Sequence, residues 1–184
     1  MLIKGKRIYL KPFASTHLYD PAYYGWLSDI DVVRYLGRDE LLKGIPFAEA
    51  ESYVKQLWNN NYCHFLAVHH TETGEFIGTA KINFINSKGR EHGIADIGIM
   101  LGERSFWGQG LAKDILQAIS IFAFDELNAR KLSAGGYSFN EAVVKAFLRI
   151  GYKIDGSLRQ QLAVDDGYCD HVLMSCFEQE LVRG

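Results

Sequence analysis

The sequence predicts a mixed α/β fold, with a central, mostly antiparallel sheet of about seven strands flanked by about four helices. Three observations point there. Short stretches that alternate apolar and polar residues are separated by turns carrying glycine, as half-buried strands are. Two longer stretches, 47–58 and 111–125, repeat their apolar residues at helical spacing. A strand-like run, 94–101, leads through a glycine turn straight into the second of these helices. At 184 residues the chain reads as a single domain over 1–184, long enough to bury a substantial core.

The elements follow in order. Ile8 to Phe13 alternates and reads as the opening strand, and Pro21 precedes a short helical stretch with Tyr24 and Leu27 on one side. Pro46 stands where proline suits a helix start, and Phe47, Ala50, Tyr53, Val54 and Leu57 give the helix behind it one buried stripe. His64–Val68 and Phe76–Asn83 form a hairpin about a turn at 71–75 that carries Gly74. Asn86 to Arg90 reads as a polar loop into the strand Ile94–Leu101, completing a three-strand meander. Leu111, Ile115, Ala118, Ile119 and Phe122 mark a helix that ends near Asp125, and a strand begins at Lys131. Asn140 is placed to cap the helix from Glu141 to Ile150, with Gly151 as the residue that closes it. Tyr152 to Leu162 and Cys169 to Glu178 form the last strand pair, about a turn containing Asp165, Asp166 and Gly167.

Composition removes several function classes. Hydrophobic residues make up 48% and charged residues 23%, a globular balance, and the net charge of −2 provides no basic field for a nucleic-acid backbone. Lys4, Lys6, Arg7 and Lys11 cluster near the N-terminus and read as a solvated strand face rather than a polyanion site. No apolar run approaches the ~20 residues of a membrane span and no signal-peptide core opens the chain, so a cytoplasmic location without membrane contact is expected. Cys63, Cys169 and Cys176 are odd in number and lack ligand spacing. Cys176 reads as a buried thiol, His69-His70 as an exposed turn edge, and no metal site is expected.

The segment from Asp96 to Lys113 carries the chemistry. Strand, glycine turn and helix together set several backbone N–H groups and the positive end of a helix dipole around one concavity, which suits a phosphate or pyrophosphate. The loop is not of the nucleotide-hydrolase kind, because Gly110 is followed by Leu111 and Ala112 instead of lysine and a hydroxyl residue. It is not a dinucleotide fingerprint either, because Lys113 stands at the third glycine position and the preceding strands form hairpins.

The turn Ser105-Phe106-Trp107-Gly108-Gln109-Gly110 resembles the acyl-coenzyme A loop of the GNAT N-acetyltransferase superfamily, Gln/Arg-x-x-Gly-x-Gly/Ala. The run from Asn140 to Tyr152 is similar to that superfamily's Asn-x-x-Ser-x-x-x-x-x-Lys-x-Gly-Phe segment. Ile8 to Phe13, Tyr24 to Asp29, Gly156 to Arg159 and Asp166 to Asp170 look like the RimJ/RimL-like branch of ribosomal-protein N-terminal acetyltransferases. The resemblance spans essentially the whole chain, in the expected order. It implies a GNAT-type fold in which strands 94–101 and 131–137 run parallel and splay apart around acetyl-coenzyme A (acetyl-CoA). It also implies cofactor contacts from Gly98, Met100 and Leu101, from Arg104 through Ala112 (Arg104, Ser105, Phe106, Trp107, Gly108, Gln109, Gly110, Leu111, Ala112), and from Asn140 and Phe147.

By the same resemblance a neutral primary amine attacks the thioester directly in a ternary complex, and a main-chain N–H near Gly98 to Leu101 steadies the developing oxyanion. Asn140 is placed near the pantetheine or the leaving sulfur, or serves only as a helix cap. Family members often carry a glutamate in the strand before that asparagine and a tyrosine seven residues after it. Here those positions are Gly135 and Phe147, which cannot transfer a proton. Asp96, on one strand face with Gly98 and Met100, is the remaining candidate base, or else an aspartate that pairs with a basic neighbour or receives substrate. Tyr137 either assists through its hydroxyl or packs. Tyr23, Tyr24, Trp26 and Tyr35 crowd the region beside the acceptor, and Tyr24, Trp26 and Tyr35 are the candidate substrate contacts. Asp29, Asp31 and Arg34 read as a solvated face or as contacts to a polar acceptor, and Arg159 and Asp170 as a cross-hairpin ion pair or as substrate contacts.

The expected function is therefore an acetyl-CoA-dependent N-acetyltransferase acting on a protein N-terminus or a small amine, as a monomer or homodimer, without nucleic acid. A nucleotide-linked amino sugar is an alternative acceptor. A non-catalytic acyl-CoA-binding module is the alternative class.

Overall fold

The computed structural model describes residues 1–164 and 167–184. Its strands are β1 (Ile3–Lys4), β2 (Ile8–Pro12), β3 (Cys63–His70), β4 (Phe76–Asn83), β5 (Ile94–Leu101), β6 (Lys131–Tyr137), β7 (Lys153–Val164) and β8 (Gly167–Phe177). They make one sheet in the order β1-β2-β3-β4-β5-β6-β8-β7, in which every neighbouring pair is antiparallel except β5 and β6. The helices are α1 (Ser15–Leu18), α2 (Pro21–Leu27), α3 (Ile30–Val33), α4 (Asp39–Leu42), α5 (Phe47–Trp58), α6 (Ser87–His92), α7 (Leu111–Asp125) and α8 (Glu141–Arg149). This is the mixed α/β arrangement the sequence predicts.

The described residues hold one strand and four helices more than expected. Lys4 and Ile3 pair with Tyr9 and Leu10 as a two-residue edge. α1, α3 and α4 are single turns of four residues each, too short to display a period. The stretch read as a polar loop is α6, where Asn86 Oδ1 accepts from Gly89 N at 2.9 Å and Gly93, at φ 67°, closes the turn. The turn expected at Asp165, Asp166 and Gly167 rests on Asp165 and Asp166, which lie outside the described residues.

Strand alternation divides the core between the two faces of the sheet. Leu66 and Val68 of β3 join Ile115, Leu116 and Ile119 of α7 on one face, whereas Ala67 joins Tyr23, Leu27, Val33 and Val54 of the α1–α5 layer on the other. α7 packs against β1, β2, β4, β5 and α8 and is buried continuously from Asp114 to Ser120, which is more than a single stripe.

His69 departs from its expected place at an exposed edge. A register shift between Val68 and His69 turns it inward, where it is buried and stacked on Tyr9 at 5.0 Å. Ala14 N donates to His17 Nδ1 at 2.9 Å, so His17 carries its proton on Nε2 and gives it to His69 Nε2 at 3.3 Å; His69 Nδ1 then donates to Gly74 O at 3.1 Å. Burial, with Lys11 and His69 nearby, pushes His17 down to about 4, and burial also lowers His69. Cys176 is buried as expected, and burial pushes its thiol up to about 11. Arg159 and Asp170 are not ion-paired: Asp170 accepts from Ser157 Oγ at 3.3 Å and from Gln160 N at 2.9 Å.

Candidate active site

The parallel strands β5 and β6 are paired only at Ile94↔Lys131, Ala95↔Leu132 and Asp96↔Ser133. Beyond that point β5 stays with β4 as far as Leu101, and β6 stays with β8 as far as Tyr137↔His171. The sheet is therefore split down its middle, and continuing the lost register would set Gly98 against Gly135. A cavity of about 940 Å³ occupies the split and runs from the α7 end to the α2–α5 layer.

The turn after β5 closes the outer end of the split. Gly102 is pressed against the Trp26 indole so closely that an added Cβ would lie 2.1 Å from a ring carbon. Glu103 Oε1 accepts from Ser105 N at 3.2 Å, and the amides of Phe106 and Trp107 donate to the carbonyls of Glu103 and Arg104. The main-chain donors of Ser105, Phe106 and Trp107 are thus already engaged. Trp107 Nε1 reaches back to Leu101 O at 2.8 Å. Gly108 and Gly110 then take φ of 73° and 76°, left-handed values that favour glycine. Gly110 caps α7 without a side-chain hydrogen bond. Among the described residues no protein acceptor meets the N–H groups of Gly108, Gln109, Gly110, Leu111 or Ala112. Unpaired amides at the start of a fifteen-residue helix make an anion site.

One member of the N-terminal basic cluster, Arg7, reaches this turn. Asp114, in the first turn of α7, accepts from Lys6 N at 2.8 Å and Arg7 N at 2.7 Å. That clamp lets Arg7 Nη2 donate to Gln109 O at 2.7 Å and stand 3.6 Å from where a Gly110 Cβ would be. Nothing in local spacing signals the contact, because it joins residues about a hundred positions apart.

At the inner end, Asp96 sits at the foot of the fork and accepts from Ser133 Oγ at 3.3 Å. Burial raises its carboxyl above the ordinary range, partly opposed by Ser133, Lys81 and His171. Tyr137 is buried against Tyr35, with ring centroids 5.5 Å apart, and burial with Asp39 and Cys169 pushes its phenol up. Asn140 makes no side-chain cap to α8 and lines the cavity, as does the buried Phe147. Gly98, Met100, Leu101, Phe106, Trp107, Gly108, Gly110, Leu111 and Ala112 line it too.

The side chains of other candidates are engaged elsewhere. Arg104 binds Asp31 at 2.9 Å and Asp29 at 3.3 Å, tying the turn to the α2–α3 connection, and Gln109 Nε2 donates to Ser105 O at 2.9 Å. Of the three candidate substrate contacts only Tyr35 faces the cavity. Trp26 is spent in the core against Gly102 and Phe76, and Tyr24 packs on Phe47 while its hydroxyl donates to Ile45 O at 2.7 Å. Tyr23, Tyr53 and Phe65 line that end instead, with the Arg38 guanidinium 3.9 Å above the Tyr53 ring. Tyr23 is among the crowded rings of the first helical region, and Tyr53 belongs to the apolar stripe of α5.

A family model described as an acetyltransferase (GNAT) domain matches residues 7–153. The chain belongs to the GNAT acetyltransferase family. By class it is an N-acetyltransferase. It is 30% identical over 109 residues to the protein named "Uncharacterized N-acetyltransferase p20" of Bacillus licheniformis, a match spanning 59% of each chain. In fold it is similar to spermidine N-acetyltransferase from Vibrio cholerae, solved with CoA and spermine, at a TM-score of 0.83 and 17% identity over 95% of this chain and 97% of that one. It is also similar to RimJ of Mycobacterium smegmatis, solved with CoA-disulfide, at a TM-score of 0.80 and 18% identity over 98% and 89%. These likenesses show the fold alone. No helix among the described residues is long and apolar enough to cross a membrane.

Proposed function

We propose that this protein transfers the acetyl group of acetyl-CoA to a primary amine, a protein N-terminus or a small amine, by direct attack within a ternary complex. One observation carries the reading: unpaired amides over Gly108–Ala112 open into a cavity that continues down a split between parallel strands. The pyrophosphate of the donor suits those amides and the α7 dipole, with Arg7 beside them. The pantetheine arm, which offers alternating amide groups, suits the gap-facing backbone of β5 from Gly98 to Leu101, where a sheet partner is missing. A main-chain N–H there is placed to oppose the charge that develops on the thioester oxygen.

The amine enters from the face shared by Asp96, Gly98 and Met100. The Asp96 carboxylate draws the ammonium form to the foot of the fork and accepts a proton from it. Asn140, free of capping duty, is available to the sulfur or the arm, and Tyr137 narrows the passage against Tyr35. Gly135 and Phe147 hold no proton-transfer group at the two positions where the family often has one. That departure favours one second reading, a module that binds acyl-CoA without turnover.

A thiol-release assay with acetyl-CoA over peptides, polyamines, amino acids and amino sugars tests the proposal. Release with any acceptor, matched by an acetylated product, supports acetyl transfer. Saturable acetyl-CoA binding without release across the panel supports the module.

A further inference from the structure

The missing side chain at Gly135 is not a vacancy. An ideal Cβ built on Gly135 would lie 2.2 Å from His171 Nε2, 3.0 Å from Cε1 and 3.3 Å from Cδ2. The imidazole of β8 therefore lies directly over the Gly135 backbone, and glycine is the residue that admits it. Register fixes the face: His171 pairs with Tyr137, and alternation along β6 puts Tyr137, Gly135 and Ser133 on one side, the side on which Ser133 Oγ meets Asp96. Across the split, Gly98 is open, with nothing within 4 Å of its absent Cβ, and Lys81 of β4 stands opposite it. Gly98 and Gly135 thus frame a notch in the cavity lining, with Asp96 at its foot and Tyr137 above it, and His171 Nε2 of β8 lies against Gly135, outside that lining.

We infer that His171 is a catalytic residue of the transfer, reaching the acceptor nitrogen through the notch that Gly135 leaves. The inference rests on the acetyl-transfer reading above and completes its chemistry, because two protons must leave an ammonium acceptor before an amide is formed. Asp96 takes the first. The neutral nitrogen bonds to the thioester carbon, and its second surplus proton passes to His171 Nε2. The carbon–sulfur bond breaks, the coenzyme leaves as a thiolate, and the imidazolium returns that proton to the sulfur; Asp96 releases its own to solvent.

The test compares wild type, His171→Ala and Gly135→Ala with acetyl-CoA and three acceptors: a tetrapeptide with a free N-terminus, spermidine and glucosamine. His171→Ala is expected to lower kcat about 10²-fold or more with the acceptor KM and the acetyl-CoA affinity little changed, and added imidazole to restore part of the rate. Gly135→Ala is expected to lower kcat likewise, because the new methyl forces the ring out of its place. Coenzyme affinity reports whether each variant is folded. A His171→Ala rate within threefold of wild type, or a loss confined to KM and deaf to imidazole, overturns the inference and leaves the acetyl-transfer reading standing. No thiol release by wild type with any of the three acceptors overturns both.

Discussion

Replacing Gly108 with valine isolates the contribution of the turn to coenzyme binding. Gly108 has φ 73° and nothing within 4 Å of its absent Cβ, so the substitution meets no neighbour and its effect is conformational. A β-branched residue disfavours that left-handed geometry by roughly 1–2 kcal/mol, small against the ~5–15 kcal/mol that holds a domain together. The chain is expected to relieve the strain by swinging Gly108 to negative φ, which turns the amides of Gly108 and Gln109 away from their common centre. Hydrogen bonds to a charged acceptor are worth about 1.5–3 kcal/mol each. Losing two weakens coenzyme binding by roughly 3–6 kcal/mol, a factor of about 10² to 10⁴ in Kd. Titration calorimetry with CoA measures the affinity, and thermal unfolding checks that Tm falls by no more than about 8 °C. A Kd within threefold of wild type would refute the assignment of the pyrophosphate to this turn. Gly110→Val, at φ 76° with only the Arg7 guanidinium nearby, is expected to behave alike.

Three further outcomes follow from contacts described above. Asp96→Asn is expected to lower turnover about 10²-fold or more and to abolish the acid limb of the pH–rate profile; because burial raises the carboxyl, that limb falls as pH drops through a value above the ordinary aspartate range, and an unchanged profile removes Asp96 from proton transfer. Asp114→Ala strands the amides of Lys6 and Arg7 and is expected to destabilise the fold by about 1–3 kcal/mol in urea unfolding while weakening CoA binding several-fold through Arg7. The His17–His69 pair makes stability depend on pH: His17 sits at about 4 when folded and near 6.5 when unfolded, so the unfolded chain binds the extra proton and stability is lost as pH falls from about 6.5 towards 4. A loss of about 1–2 kcal/mol by pH 5 is expected in chemical denaturation, and His17→Leu should flatten that slope.

The parts of this molecule legible in the sequence are those written in local spacing. The stripes of α5 and α7, the hairpin about Gly74 and the two positive-φ glycines of the turn are stated by residues within a few positions of each other. The parts that depend on distant partners were not legible. Arg7 reaches the turn only because Asp114 clamps its backbone, and His171 reaches Gly135 only because β8 is inserted between β6 and β7. Aromatic crowding between Tyr23 and Tyr35 marks one end of the cavity but not which rings face inward, since single-turn helices leave no period from which to choose a face. The register shift at Val68 and His69 likewise reverses an inside–outside assignment that a continuous strand would have kept.

The split between β5 and β6 has a mechanical consequence. With three rungs joining them, the sheet is two blocks that meet near Asp96 and Ser133, with α7 packed on β1, β2, β4 and β5 of one block, α8 on β6 and β7 of the other, and the two helices in contact. On the proposed reading, a donor lodged between the blocks would act as a wedge and a rivet together, holding the split open beside the acceptor. Loading the thioester is then also the act that sets the acceptor's doorway.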